Sequence, residues 1–368
     1  MNQIEEHVPE QEAQAVEAQQ AGPVISGFWR RLGAFFLDVM MLGVLGQILG
    51  YFFFDELVAI GPWGRLLGWT VCVLYLGLMN SRLGGGQTLG KRLLRIVVVD
   101  RDGKLISVKR SLLRSGVLLT PLFLNGAQMP IENAPVILGY LLGLIVFAGN
   151  LVIIYLFIFN RGTRQNIHDM AVRTFVINKP VPAAGVEART WTVHYAVSGM
   201  LCMLILLVLV WLHAFSKSSF MEGINQTRAR ITEATGTSAV SLMVGQNTWI
   251  SNGERSVKTH VFCQVFIRHK PDDMGACANE IADIILDTYP PALGKDRIRI
   301  LITRGYDIGI AKFHRSNSFV FSPGEWIGRI TKDALDRTTE SGNPGLEFDL
   351  TGDRKPAGHD TETQVEQE

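Results

Sequence analysis

PVILGYLLGLIVFAGNLVIIYLFIF, residues Pro135–Phe159, carries no charge from end to end. A helix needs about 20 consecutive apolar residues to cross the hydrocarbon of a bilayer, so this stretch reads as a membrane span. Working outward, Thr192–Phe215 (TVHYAVSGMLCMLILLVLVWLHAF) is a second uncharged run. Upstream, Gly33–Phe54 has one acid, Asp38, and Leu66–Asn80 is shorter, with WTVCVLYLGLM at its centre. Both read as further spans. The apolar fraction of 47% is concentrated ahead of residue 215, whereas the net charge of +1 averages over unlike segments.

Orientation follows the Lys/Arg bias of short loops. Arg30 and Arg31 precede the first span, so the N-terminus is expected in the cytoplasm. Asp55–Arg65 is acidic and short and faces out. The loop from Arg82 to Arg114 is heavily basic and faces in, as does Asn160–Arg189. One helix at 135–159 cannot join two inside loops. Val117–Met129 (VLLTPLFLNGAQM, with Pro121) therefore reads as a short kinked span, the alternative being a re-entrant segment. With the crossing, residues 217–368 lie outside the cytoplasm; without it they lie within.

Residues 1–20 hold five Glu and no Lys or Arg, and the end of the chain is polar without aromatics. Residues 1–26 and 336–368 accordingly read as disordered tails, too poor in apolar surface to offset the entropy of ordering. No removable signal peptide is expected, because the N-terminus is acidic.

GGQTLGKR, Gly85–Arg92, spells G-x-x-x-x-G-K, the phosphate-cradling loop, with one letter wrong. That loop needs a buried strand before it and Ser or Thr after its Lys. Here a membrane helix precedes it, Arg92 follows Lys91, and a β-branched run, Leu94–Val99, comes next. No nucleotide is expected. Instead Arg95–Val99 and Lys104–Val108 flank Asp102-Gly103, which predicts a small cytoplasmic β-hairpin on the membrane surface.

From about Gly27 to Asn178 the chain resembles the RDD family of bacterial integral membrane proteins. The resemblance rests on four motifs in family order: RRLGAFFLD (Arg30–Asp38), GGQTLGKRLLRIVVVDRDG (Gly85–Gly103), Ser107 with Arg110 and Arg114, and RQNIHDMAVRTFVI (Arg164–Ile177). By it, the three residues naming the family fall on Arg31, Asp38 and Asp169, and Gly86, Thr88, Gly90 and Lys91 form the motif loop. Arg173 stands where the family has glycine. The resemblance implies ion transport, with cation or proton exchange, and fixes no substrate.

Arg31 and Asp38 lie two helical turns apart on one face, roughly 10 Å along the axis, too far for a direct pair. Arg110 and Arg114 share a face, with Ser107 a turn earlier. The expectation is an inner-leaflet network of Arg31, Asp38, Ser107, Arg110, Arg114, His168 and Asp169. It either pins helices together or marks an ion or proton path, since an intramembrane acid demands a partner or a proton. His168 and Asp169 have no nucleophile or metal cluster beside them, so no enzyme, cofactor or metal is expected.

Residues 179–191 read as a linker, 192–215 as the final span, and 217–335 as a small soluble α+β domain. Its predicted order is β-β-α-β-β-β-α: strands Ser241–Ile250, Ser256–Arg268, Arg297–Thr303, Ile308–Phe313 and Ser318–Phe321, helices Asp272–Tyr289 and from Ser322. If the domain lies outside, Cys263 and Cys277 allow a disulfide, against two buried thiols. The whole is thus a membrane all-α helical bundle of four to five transmembrane helices with a C-terminal α+β domain. Expected partners are the lipid bilayer of the inner membrane, cations or protons, a second copy of the chain or an envelope protein, and no nucleic acid. Two functions remain open: a transport protein, or a membrane-anchored scaffold whose C-terminal domain binds the envelope partner.

Overall fold

The computed structural model describes residues 24–126, 135–179, 185–186, 188–237, 239–251 and 254–340. The expected tails before residue 24 and after residue 340, the end of the Val117–Met129 run, most of the linker to Pro135 and the Asn252-Gly253 turn lie outside the described residues.

Four helical stretches are long and apolar enough to cross a membrane. They are α1 (Phe28–Phe52), a stretch formed by α2 (Phe54–Ile60) and α3 (Gly64–Met79), one running Val136–Phe159, and one at Thr192–Ser216. The segment read as an outer loop at Asp55–Arg65 is thus helical. A single turn at Gly61–Trp63, with Gly61 at φ 57° and Pro62 at its start, joins α2 to α3. Val136–Phe159 comprises α6 (Val136–Gly143), a π turn at Leu144–Ala148 and α7 (Gly149–Phe159); the last span is α9. A multi-pass membrane protein is the consequence.

Between them runs α5, Val108–Leu124, about 25 Å long at 1.5 Å per residue. End contacts fix its course. At its start, Arg82 N–H donates to the Ile106 carbonyl just before it (2.9 Å). At its end, Arg65 on α3 donates to the Phe123 carbonyl (3.2 Å). It therefore traverses the bundle from one end to the other, as the loop arithmetic requires, and Pro121 sits inside it. Asn150 on α7 donates to the Pro121 carbonyl (3.0 Å) and to that of Val146 (2.7 Å). The last helix is anchored at both ends too: Tyr155 meets His194 at 2.9 Å, and the Tyr140 and His213 rings lie 5.7 Å apart.

One end of the bundle carries a two-stranded sheet. β1 (Ile96–Asp100) pairs antiparallel with β2 (Thr174–Asn178), from Ile96 opposite Asn178 to Asp100 opposite Thr174. This corrects the expected hairpin. The Asp100–Gly103 turn does form, with Gly103 at φ 76° and Lys104 N–H bonded to the Asp100 carboxylate (2.9 Å). Its return segment, however, does not pair along β1, because Ser107 opens a helix by accepting from Arg110 N–H. The β-branched run finds its partner in the closing motif instead, where both strands are buried. Val24–Ser26 also departs from the expected tail: Ile25 bridges Ile177, and Ser26 N–H donates to the Val176 carbonyl.

The C-terminal domain opens on a helix, α10 (Ser219–Thr235), not on a strand. It continues with β3 (Val240–Ser251), β4 (Glu254–Phe266), α11 (Met274–Thr288), β5 (Arg297–Asp307), β6 (Lys312–Phe321) and α12 (Pro323–Glu340). The order is α-β-β-α-β-β-α. The sheet runs β3-β4-β5-β6, with β4 and β5 parallel across α11 and the outer pairs antiparallel. Ile224 and Ile231 of α10, Ile281 and Ile285 of α11, and Trp326 of α12 cover the Ile298, Ile300 and Ile302 row of β5. The helix expected from Ser322 opens on a Ser322–Glu325 capping box, Ser322 N–H reaching Glu325 Oε2 at 2.7 Å. Cys263 and Cys277 are free thiols; burial pushes Cys263 up to about 12 and raises Cys277 with help from Glu280.

The predicted strand Ile308–Phe313 is another correction. Ile308–Ala311 is a turn, with Gly309 at φ 77° and Ile308 N–H bonded to the Ala311 carbonyl (3.0 Å). That turn is pressed into the bundle end opposite β1–β2. It meets Gly46 on α1 and Gly64 and Gly68 on α3, while Gly50 faces the Tyr306 ring of β5; a Cβ on Gly68 would overlap the Ile308 carbonyl. Leu57 and Val58 of α2 complete the apolar seat with Tyr306, Ile308 and Ala311. Ion pairs at 2.7 Å flank it, Arg65 with Asp307 and Arg304 with Asp55.

Candidate functional site

Two carboxylates organise the β1–β2 end of the bundle. Asp169 belongs to α8 (Ile167–Ala171), a single turn opened by a capping box: Asn166 accepts at the helix start, and its own N–H donates to Asp169 Oδ2 (3.2 Å). Two arginines converge on the same carboxylate. Arg31 from α1 reaches Oδ2 at 2.7 Å, and Arg114 from α5 places Nε and Nη2 on Oδ1 at 2.9 and 2.6 Å. Thr174 of β2 adds a bond at 3.3 Å. All three charged groups are buried, so the cost of removing them from water is offset only because they meet one another and because the Asn166 amide and the Thr174 hydroxyl complete the carboxylate's bonds. Arg31 also donates to the Arg164 carbonyl. Arg164 and Arg173 are left-handed, at φ 49° and 52°. The turn before Thr174, where the resemblance puts glycine, is therefore kept by Arg173, at a conformational cost of about 1 kcal/mol.

Burial alone would raise the Asp169 carboxyl, but the Arg114 and Arg31 guanidiniums override it and hold it well below the usual carboxylate range. His168 sits beside it, Nε2 at 3.5 Å from Oδ2. Burial drives His168 down from 6.5 to about 3, with the neighbouring cations adding to the fall, so the ring is neutral at physiological pH. A group whose folded value is depressed contributes stability above its unfolded value and loses it on acidification. Thermal stability in detergent is thus expected to decline as pH falls from 6.5 toward about 3. His168→Gln should flatten that decline; a wild-type curve flat over the interval would contradict the assignment.

Asp38 forms a separate hub. It receives Tyr75 Oη from α3 (2.9 Å), Thr88 Oγ1 (2.5 Å) and Gly90 N–H (2.9 Å). The last two come from the glycine motif, which answers why G-x-x-x-x-G-K stands here: its amide and hydroxyl grip a carboxylate of the bundle rather than a phosphate. Gly86 bends at φ 71°, Thr88 caps α4 (Leu89–Leu93), and Gly90 lies so close to the Ala34 backbone that a Cβ would not fit. Lys91 turns inward to Asn80 Oδ1, and burial pushes its ammonium well below the ordinary range. Thr88→Val should remove both the cap and the Asp38 bond and cost about 1–2 kcal/mol, read as a fall in Tm; an unchanged Tm would contradict this role.

The predicted residues therefore do not form one network. Arg31, Arg114 and Asp169 meet, with His168 beside them. Asp38 has its own ring of Tyr75, Thr88 and Gly90. Ser107 caps α5, and Arg110 lies outside, donating to the Val172 carbonyl (2.6 Å) and standing 3.8 Å from Asp100. Sequence reasoning missed Tyr75, Asn80, Asn166 and Thr174. Asn166 followed three residues later by Asp169 is a readable cap signal; Tyr75 and Asn80 had none beyond being polar within an apolar run.

A cavity of about 380 Å³ joins the two hubs. Arg31, Asp38, Asn80, Lys91, Arg114, Ser115 and His168 line its polar end, and apolar side chains of α1, α5 and α7 line the remainder. Among the described residues no group of three or more metal-type ligands occurs.

Comparison with known proteins gives one family. Residues 25–173 match the model of the RDD family. No curated protein and no solved structure matches the chain.

Proposed function

We propose, on the premise that residues 25–173 are an RDD-family membrane domain, that the protein transports a small charged solute, with the cavity at the β1–β2 end as its binding site. The observation that carries this reading is the placement of ionisable groups around open space inside a membrane bundle. A purely structural set of ion pairs has no need of a cavity, and intramembrane charges commonly mark solute paths. The Asp169 cluster is the fixed part, because its carboxylate is saturated by arginines and backbone. Asp38, Lys91 and Asn80 are the working part. Cations or protons remain the solutes implied by family resemblance; Asp38 is the acid to which they would couple. The reading includes no catalytic chemistry. It places the N-terminus and the basic β1–β2 end in the cytoplasm, by the Lys/Arg bias of the loops, and the C-terminal domain on the far side of the inner membrane.

Proteoliposomes test it. Wild type should carry solute-dependent current or pH change, and Asp38→Asn should reconstitute in equal amount yet lose most of it. Equal flux in the variant, or none in the wild type for protons, sodium, potassium and phosphate, would overturn the reading.

A second reading has its own support. The C-terminal domain is seated on the bundle by the Ile308–Ala311 turn while β6 leaves Lys312–Ser318 exposed at a sheet edge, a form suited to strand addition by an envelope partner. Deleting residues 217–368 separates the two: transport by the bundle survives the deletion, and partner capture does not.

A further inference from the structure

Three basic side chains, Arg31, Lys91 and Arg114, stand around the cavity against two acids, Asp38 and Asp169. Arg31 and Arg114 share Asp169, whose oxygens are fully occupied. Asp38 is held by Tyr75, Thr88 and Gly90. Lys91 is left with a neutral partner, Asn80 Oδ1, and among the described residues no carboxylate forms an ion pair with it. Two buried polar atoms on the same wall have no partner at all: Ser115 Oγ, on a residue 1% exposed, and His168 Nδ1, on a residue 6% exposed. Buried donors and acceptors left unsatisfied are costly, and both residues belong to the lining of a space large enough to hold a partner. Nδ1 has no partner and a hydroxyl can meet it in either tautomer, donating or accepting, so an O–H beside a negative charge is the group that suits this end of the cavity.

The rest of the cavity says how such a group arrives. Its walls are Leu32 and Phe35 on α1, Leu118 and Leu122 on α5, and Ile154 and Ile158 on α7. At the rim, Phe35, Leu122, Ile154 and Ile158 are 39–55% exposed, all on helices of the bundle, so they face lipid rather than water. At the β1–β2 end the seam is shut: the Phe28 and Phe157 rings lie 4.7 Å apart. The opening is lateral and apolar, and the polar groups sit behind it.

We propose that this cavity binds an anionic amphiphile, its hydroxyl-bearing phosphate head at Lys91, Ser115 and His168 and its acyl tail leaving between α1 and α7 into the bilayer. The inference rests on the reading of this cavity as a binding site and gives it an occupant beside the transported ion. Lys91, which has only the neutral Asn80 as partner, gains in the phosphate the counter-charge that keeps its proton, while Ser115 and the His168 ring hydrogen-bond the head group. The apolar throat discriminates against free phosphate, which would leave it unfilled.

Purified, delipidated protein in dodecyl maltoside is titrated with dioctanoyl phosphatidylglycerol, with dioctanoyl phosphatidylcholine and with sn-glycerol 3-phosphate, while Tm is followed. The phosphatidylglycerol should raise Tm by several degrees and saturate; the other two should leave it unchanged. Lys91→Gln should abolish most of the shift. Ile158→Trp, at the exposed rim and outside both carboxylate hubs, should fold normally and weaken the shift at least tenfold in lipid concentration. A response to glycerol phosphate equal to that of the lipid would overturn the amphiphile and leave a soluble anion as the occupant. No response to any ligand, or an undiminished shift in both variants, would overturn the site itself.

Discussion

Asp169→Asn should leave little monodisperse protein. The substitution removes the one negative charge shared by Arg31 and Arg114, whose side chains are 8% and 5% exposed, and leaves two buried guanidiniums without a counter-ion. Breaking a buried pair in this way costs about 3–5 kcal/mol, a large part of the total stability of an ordinary domain. The loss should be visible in size-exclusion profiles and as a Tm drop of many degrees. Arg114→Met combined with Asp169→Asn should recover part of it, because one uncompensated charge is removed. The exposed Arg337–Asp333 pair gives the contrast: Arg337→Ala should change stability by less than about 1 kcal/mol. An Asp169→Asn protein as stable as wild type would mean that the arginines find other partners and that the cluster holds nothing together.

Gly68→Val is the second large effect. A Cβ at this position runs into the Ile308 carbonyl, and a backbone atom cannot rotate aside. The β5–β6 turn must lift out of its seat, taking Tyr306 and Ala311 from Leu57 and Val58. Overpacking of this kind costs roughly 1–3 kcal/mol. Amide exchange across Asp307–Ala311 should accelerate on the order of tenfold or more, equivalent to 1.4 kcal/mol. The bundle itself should remain folded. Gly199→Ala on α9, where an added Cβ meets nothing, should do no harm. Unchanged exchange in Gly68→Val would show that the domain is not held by this turn.

The membrane bundle was legible in the sequence because lipid imposes a length and a composition that few soluble segments share; Pro135–Phe159 and Thr192–Phe215 declare themselves. The depth of α5 was legible only by loop arithmetic. Its Arg110, Arg114 and Pro121 hide it from any hydropathy criterion, and it is the charge of neighbouring loops that required a crossing there. The hairpin was misread since a turn signal is local while strand pairing is not. Asp102-Gly103 specified the turn, but Phe175, Val176 and Ile177, far along the chain, buried β1 better than Lys104 and Leu105 could. Ile308–Phe313 was misread for a similar reason: an apolar run that reads as a strand is apolar because it enters the bundle.

At the site, the motif residues were identified but their grouping was not. Helix geometry excludes a direct Arg31–Asp38 pair, but the expectation still joins them in one network that the structure divides into two hubs. What the sequence could not tell was that Asp38 would be served by Thr88 and Gly90 and Asp169 by Arg31 and Arg114, since these partners are separated by 50 to 138 positions in the chain. Nor does any pattern in the sequence announce Ser115 Oγ or His168 Nδ1 as unpartnered; that emerges only when packing has closed around them.

The account turns on the C-terminal domain and the β1–β2 sheet lying at opposite ends of a bundle crossed an odd number of times. Single cysteines at Asp102, on the exposed turn after β1, and at Asp283, on the exposed face of α11, report on it directly. In intact spheroplasts a membrane-impermeant maleimide should label Asp283→Cys at once and Asp102→Cys only after lysis. Labelling of both positions from the same side would contradict it.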